Sequence, residues 1–362
     1  MRLIERNENG NANLSNMRLP HDSSVILPSL LRLYRLNPPL IGLMACNLAV
    51  REAIPKMTLV RIIAHDTPLP LLWQTPNRSG IWDDITFTLN PVDTCDYVIV
   101  LNRADKSHAV QCPPEHVWSI IQEPPTAHRK AWHRNPSYSF RTFTTDETRI
   151  DPRYVQDQPA LDCHVKRDYD FLRACPPPEK TRTISCVTST TRLLKGHRER
   201  LQFLNRNHDK LGIEMWGRGI QPIEDKWDGL APYRYSVAIE NFSNSLYWTE
   251  KISDCFLAWT MPIYYGCTRI TDYFPPESLV HIDIHDPHAV EHIQEAIAGD
   301  RWKKNLEAIA HARDLVLNRY QIFPFVTAYI RRLHEYTPSP KARIRIPKRS
   351  VIGDVLRDMM WQ

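Results

Sequence analysis

Glycine is scarce in this 362-residue chain, with 11 in all, and neither G-x-G-x-x-G nor G-x-x-x-x-G-K-[ST] occurs. The glycine-rich ways of cradling a phosphate are therefore excluded. The eight cysteines, at positions 46, 95, 112, 163, 175, 186, 255 and 267, include no C-x-x-C pair. Such scatter speaks against a disulfide framework or a zinc site and reads as reduced, buried thiols. No apolar run is long enough to span a bilayer, since the stretch from Val25 to Val50 is broken by Arg32, Arg35, Pro38 and Pro39. The N-terminal MRLIERNENGNANLSN lacks the basic-then-apolar profile of a signal peptide. A cytoplasmic protein, or one peripheral to the inner face of a membrane, is expected.

What is present is ordinary globular material, 42% hydrophobic and 24% charged, enough for a large core. The 46 Lys and Arg against 41 Asp and Glu leave a charge of +5. That mild excess suits an anionic small ligand or a membrane surface and is too weak for a nucleic-acid binder.

The chain divides by pattern. Residues 1–56 show no clear periodicity and read as an N-terminal extension. LVRIIAHD (59–66), CDYVIVLN (95–102), HVWSIIQE (116–123) and SFRTFTT (139–145) read as strands of a first α/β domain over 57–170, with a weakly helical stretch from Lys130. The CPPPEK run (175–180) marks a linker near 165–180, because consecutive prolines continue neither a helix nor a central strand. A second domain over 178–335 alternates more clearly. Its expected strands are 183–189, 212–217, 234–241, 261–266 and 279–284. Its expected helices are 195–211, about 249–259, and 287–297 with Asp286 as cap and Pro287 behind it. A long helical stretch, 300–335, should pack back across both domains. Strands alternating with helices imply mostly parallel sheets covered on both faces. Residues 336–362 form a basic tail in which Lys341, Arg343, Arg345, Lys348 and Arg349 meet no acid. A solvated tail is the plain reading; peripheral contact of residues 341–349 with an anionic membrane, at about 1 kcal/mol per basic residue, is the functional one.

The most informative stretch runs from Tyr233 to Pro276. A strand ends at Glu240 and Asn241, a short polar loop follows, and a helix starts near Thr249. Ile252, Cys255, Phe256 and Trp259 give that helix one apolar face. Thr249 is the expected N-cap, followed by Glu250 and Lys251. The unpaired N–H groups and positive dipole end of a helix suit a phosphate. A lysine placed against that dipole needs a compensating anion, which a bound diphosphate would supply. Parallel α/β sheets also bind ligands at the carboxyl ends of their strands, where this loop lies.

The segment resembles the donor-binding motif of the α-1,3/1,4-fucosyltransferases, glycosyltransferase family 10. The family order is a Y-K-F-x-h-x-h-E-N strand, then Y-x-T-E-K on a helix, then h-P-h-h-h-G and a D-F-x-P turn. Here Tyr233-Arg234-Tyr235, Glu240-Asn241, Tyr247-Trp248-Thr249-Glu250-Lys251, Pro262 through Gly266 and Asp272-Tyr273-Phe274-Pro275 follow that order. The resemblance is strong over 183–285, loose over 58–165, and absent before about 57 and after 335. It implies two Rossmann-like domains in the B-type glycosyltransferase architecture, the first binding a glycan acceptor and the second a GDP-sugar. By the same resemblance Lys251 and Tyr247 meet the diphosphate, Glu250 the sugar or ribose hydroxyls, and Asn241 lines the pocket. The family's helix arginine falls on Arg198, with Arg200 one register away. Its general base, a glutamate after a first-domain strand, falls on Glu123, although Gln-Glu-Pro-Pro replaces the usual Gly-Glu-Asn.

The implied reaction is inverting transfer of L-fucose from GDP-fucose to a glycan hydroxyl, with no essential metal. The alternatives are another GDP-sugar as donor, or an inactive glycan- or nucleotide-binding homologue. Two rival signals are set aside. Asp168-Tyr169-Asp170 is a D-x-D without a strand leading into it. Of His285, His288 and His292 only the last two share a helix face.

Overall fold

A computed structural model of the chain describes residues 57–64, 70–333 and 338–348. The expected extension 1–56 lies outside the described residues, as do Arg349 and the residues after it.

The first half is built on eight strands: β1 (Thr58–Ile63), β2 (Ile81–Trp82), β3 (Ile85–Thr88), β4 (Tyr97–Leu101), β5 (His108–Cys112), β6 (Val117–Ile120), β7 (Arg141–Thr144) and β8 (Tyr154–Gln156). Seven of them form one sheet in the order β2-β3-β1-β4-β6-β7-β8. All neighbours are parallel except β2 with β3. The centre of the sheet is apolar along its whole length, as strands buried on both faces require: every residue of β4 and of β6 is buried. The stretch expected to be weakly helical from Lys130 is a 3₁₀ segment, Ala127–His133.

The chain then crosses to the second half. The region expected to be a plain linker contains a short helix, α1 (Tyr169–Ala174), ending just before the proline run. The second half holds β9 (Arg182–Val187), α2 (Lys195–Leu211), β10 (Glu214–Trp216), β11 (Tyr233–Ile239), α3 (Glu250–Leu257), β12 (Met261–Tyr265) and β13 (Val280–His281). These strands form an all-parallel sheet in the order β10-β9-β11-β12-β13. Counted from β9 this is the doubly wound 2-1-3-4-5 order, whose strand order reverses between β9 and β11. Two parallel Rossmann-like sheets are thus present, as the B-type architecture requires.

Four helices follow: α4 (Ala289–Ala298), α5 (Arg301–Lys304), α6 (Leu306–Leu315) and, after a π-turn at Val316–Tyr320, α7 (Ile322–Arg332). The stretch from 300 is therefore four pieces. Asp286 does not cap α4; its carboxylate accepts from the His288 N–H at 2.8 Å, and His288 is the N-cap. α7 returns to the first half, where Phe323 meets Phe87 edge-on at 5.0 Å and Phe325 meets Phe143 at 5.7 Å. One apolar cluster consequently runs from Val60 and Trp118 through Phe256 and Phe274 to Phe323, and all the described residues belong to one compact unit.

The basic tail is not a solvated end where it is described. Ala342–Ile346 forms β14, antiparallel to β5, with Ile346 buried. Arginine alternates with isoleucine, so one face packs and the other faces water. Lys341 pairs with Asp96 at 2.9 Å. No helix among the described residues is long and apolar enough to cross a membrane.

Candidate active site

A crevice of about 600 Å³ opens at the carboxyl ends of the second sheet's strands. Its floor comes from the end of β11 (Glu240, Asn241, Phe242, Ser243) and its side from the first turns of α2, including Gly196, Arg198 and Glu199. Tyr265 and His285 follow β12 and β13, while Pro125 to Ala127 of the first half close the opposite wall. This is where an open parallel sheet binds ligands, and the volume lies in the 300–1,000 Å³ range of small-molecule sites, roughly. A groove of about 340 Å³ between α2 and the start of α4 continues it, sharing Glu199 and His285.

Gly196 explains how α2 reaches the floor. A Cβ built there would lie 2.2 Å from the Asn241 carbonyl oxygen, so only glycine lets the first helical turn seat against the strand end. Three residues before the crevice-lining Glu199, Gly196 thus sets the position of the whole wall.

At the other end of the loop Thr249 caps α3 as expected, its hydroxyl accepting from the Lys251 N–H at 3.3 Å. Glu240, 1% exposed, ties that cap to the strand. Its Oε1 accepts from the Thr249 N–H at 2.8 Å and hydroxyl at 2.7 Å. The Lys251 Nζ lies 3.2 Å from Glu240 Oε2, 3.3 Å from Glu250 Oε1 and 3.0 Å from the Thr249 hydroxyl. Two resident carboxylates thus compensate the lysine that stands against its own helix dipole. Burial pulls the Lys251 pKa down, but Glu240 and Glu250 outweigh it and the net displacement is upward. Burial raises Glu240, and Lys251 only partly offsets this. For Glu250 burial also acts upward, yet Lys251, His164 and Lys226 hold the carboxyl far below the usual range. Tyr247 is buried, its ring edge-on to Phe242 at 6.0 Å.

Arg198 and Arg200 of α2 part company. Arg198 lines the crevice and donates to the Arg192 carbonyl at 3.2 Å. Arg200 turns inward, 5% exposed, with its Nε unpartnered. It shares with Lys251, Lys226, Thr188 and Ser236 a water-sized cavity of about 10 Å³ behind Glu240. The structure therefore brings Arg200, rather than Arg198, together with Lys251. A signal was present: Arg200 lies three and four residues before the buried Phe203 and Leu204, on the helix's core face. His197, just before Arg198, accepts from the Leu194 N–H through Nδ1 at 3.1 Å and faces Asn241 through Nε2 at 3.2 Å. Burial, then the neighbouring Arg200 and Lys251, push its pKa down to about 4, so it is neutral at pH 7.

Glu123 follows β6 and forms an ion pair with Arg129. It is half-buried and does not itself line the crevice, although Pro125, two residues on, does. Arg129 reaches further: its charge is felt at Tyr247 and at His197 of the opposite half.

The rival signals have structural roles. Asp168 caps α1, accepting from the Phe171 N–H at 2.8 Å, and pairs with Arg78 at 2.6 Å. Asp170 accepts from the Asn77 N–H at 2.6 Å. Among the described residues no group of three or more His, Cys, Asp or Glu side chains is arranged to hold a metal, and the seven described cysteines are free.

Residues 177–300 match the family model described as glycosyltransferase family 10 (fucosyltransferase), C-terminal. This segment is similar to that family. It contains Arg198, Asn241, Tyr247, Glu250 and Lys251 and excludes Glu123. An α-(1,3)-fucosyltransferase of Helicobacter pylori is 32% identical over 75 residues, which span 21% of this chain and 15% of the relative's length. Among solved structures, an α1,3-fucosyltransferase with GDP aligns at 16% identity and a TM-score of 0.43, covering 75% of this chain and 93% of that one. The same type of enzyme with GDP-fucose aligns at 15% and 0.42, covering 76% and 95%.

Proposed function

We propose that the chain is an inverting fucosyltransferase that moves L-fucose from GDP-fucose to a glycan hydroxyl. The observation that carries this reading is the family 10 segment lying on the crevice at the carboxyl ends of β9, β11 and β12. The related α1,3-fucosyltransferase solved with GDP-fucose supports the donor class.

In this reading the diphosphate lies along the crevice floor between Asn241, Lys251 and the amino-terminal turn of α3. Arg198 stands at the mouth, with Arg200 behind. Tyr247 packs against the same end, and Glu250 takes hydroxyls of the ribose or the sugar. Cations and helix N–H groups fixed where charge grows on the leaving GDP lower the barrier without reorganisation, and such contacts are each worth roughly 2.7–4 kcal/mol. They suffice without an essential metal. The acceptor hydroxyl enters from the first half, where Glu123 removes its proton as it attacks the anomeric carbon from the side opposite GDP. Arg129, paired with Glu123, places a positive charge beside that carboxylate.

Turnover of GDP-fucose against a panel of glycan acceptors, with a Glu123→Ala variant beside the wild type, tests the reading. Transfer by the wild type, its loss in the variant and unchanged GDP affinity are expected. Loss of GDP affinity in the variant would move Glu123 out of the base role. A second reading, an inactive nucleotide-binding homologue, is favoured by the ion pair that occupies Glu123. GDP binding with no turnover on any acceptor would establish it.

A further inference from the structure

Lys251 is a cation already neutralised. Two carboxylates and a hydroxyl lie within 3.3 Å of its Nζ. The two carboxylates differ in freedom. Glu250 is on the same helix turn and partly open, whereas Glu240 is locked: both its oxygens accept from the Thr249 hydroxyl, at 2.7 and 2.9 Å, and one also accepts from the Thr249 N–H. Gly266 closes the remaining side, where even a Cβ would lie 2.5 Å from Glu240 Cγ. Glu240 cannot swing away. The lysine can, because its ammonium is a point charge on a flexible four-carbon stem. Glu240 lines the crevice, while Lys251, its side chain 20% exposed, lines the water-sized cavity it shares with Arg200 and lies 3.2 Å from Glu240.

We propose that Glu240 is a resident counter-anion for Lys251, which the diphosphate of a bound nucleotide displaces and which takes the ammonium back when the nucleotide leaves. The inference rests on the reading that a nucleoside diphosphate occupies this crevice. Its consequence has a definite sign. An anion that competes for the phosphate-binding lysine weakens nucleotide binding, by an amount in the range usual for coupled sites, roughly 5–150-fold. The weakening serves turnover, because product release limits many transferases and a diphosphate held by an uncommitted buried cation leaves slowly. A glutamate that merely held the fold would have the opposite effect: its removal would loosen the site and weaken binding.

Calorimetric titration of the full chain with GDP and with guanosine, without metal, separates these. In Glu240→Gln the amide oxygen still accepts from Thr249 but the charge is gone, and Glu250 still accompanies Lys251. GDP should bind about tenfold tighter or more and dissociate more slowly, with guanosine affinity unchanged. Equal or weaker GDP binding in this variant overturns the proposal, whether or not guanosine changes with it. Should the variant not fold, the pair Lys251→Met and Glu240→Gln/Lys251→Met decides. Removing both members of the Glu240–Lys251 pair strands neither of the two, so the double variant should bind GDP better than Lys251→Met alone; no recovery overturns the proposal. Absence of GDP binding by the wild type contradicts instead the donor reading on which it stands.

Discussion

At the first turn of α3, charge is balanced within one helical turn. Lys251 holds its proton firmly, because the carboxylates beside it outweigh burial, and Glu250 holds its negative charge because Lys251 and Lys226 face it. Both side chains are therefore ionised at any physiological pH. Replacing either by alanine should reduce turnover at least about tenfold, the scale of a lost charged contact at a developing anion. Steady-state rates of the two purified variants check this, and near-normal activity in both would remove them from the mechanism. The order Tyr247 to Lys251 was legible because motif spacing survives in a linear string. Glu240's hold on Thr249 was not, since that contact depends on where the loop between them returns. Arg200 was half legible: the spacing to Phe203 and Leu204 pointed inward, but the neighbouring His197 and Arg198 made a solvated face equally plausible from the letters alone.

Among the elements, the second half was the easier to read. Residues 195–211 form α2 with the expected limits, and the five expected strands of that half are all present, three of them, β9, β11 and β13, followed by an amphipathic helix. Three of the misread places show why. Alternating Arg and Ile at 342–346 looked like a charge run because its partner, β5, is far away in sequence. Asp286 looked like a cap because Pro287 follows it, whereas the turn it closes stops short of the helix. α1 was hidden by the prolines after it. The seating of α2 gives this scale its prediction. Gly196→Ala forces a methyl into the Asn241 carbonyl and must shift the helix end, at a cost of roughly 1–3 kcal/mol for overpacking. The midpoint of thermal unfolding should fall by several degrees and GDP affinity should fall with it. An unchanged affinity would mean that α2 does not shape the site.

For the whole molecule, the two sheets share one apolar cluster through α7, yet the proposed chemistry is divided between them. The proposed nucleotide-facing groups come from the segment that matches the family 10 model, and Glu123 with Arg129 comes from outside it. That division explains why the sequence supports a proposal for the donor class but not for the acceptor's identity. The proposed donor groups cluster on one strand, one loop and one helix turn, whereas the proposed acceptor side rests on first-half loops with no comparable motif. The account therefore stands on nucleotide choice. Thermal unfolding of the full chain with GDP, GDP-fucose, UDP and ADP, each without added metal, tests it most directly. A ligand at 100 times its dissociation constant adds about 2.7 kcal/mol, enough to raise the midpoint by several degrees. GDP and GDP-fucose alone are predicted to stabilise the protein. An equal shift with UDP or ADP, or no shift with any nucleotide, would contradict the assignment of this crevice to a GDP-sugar.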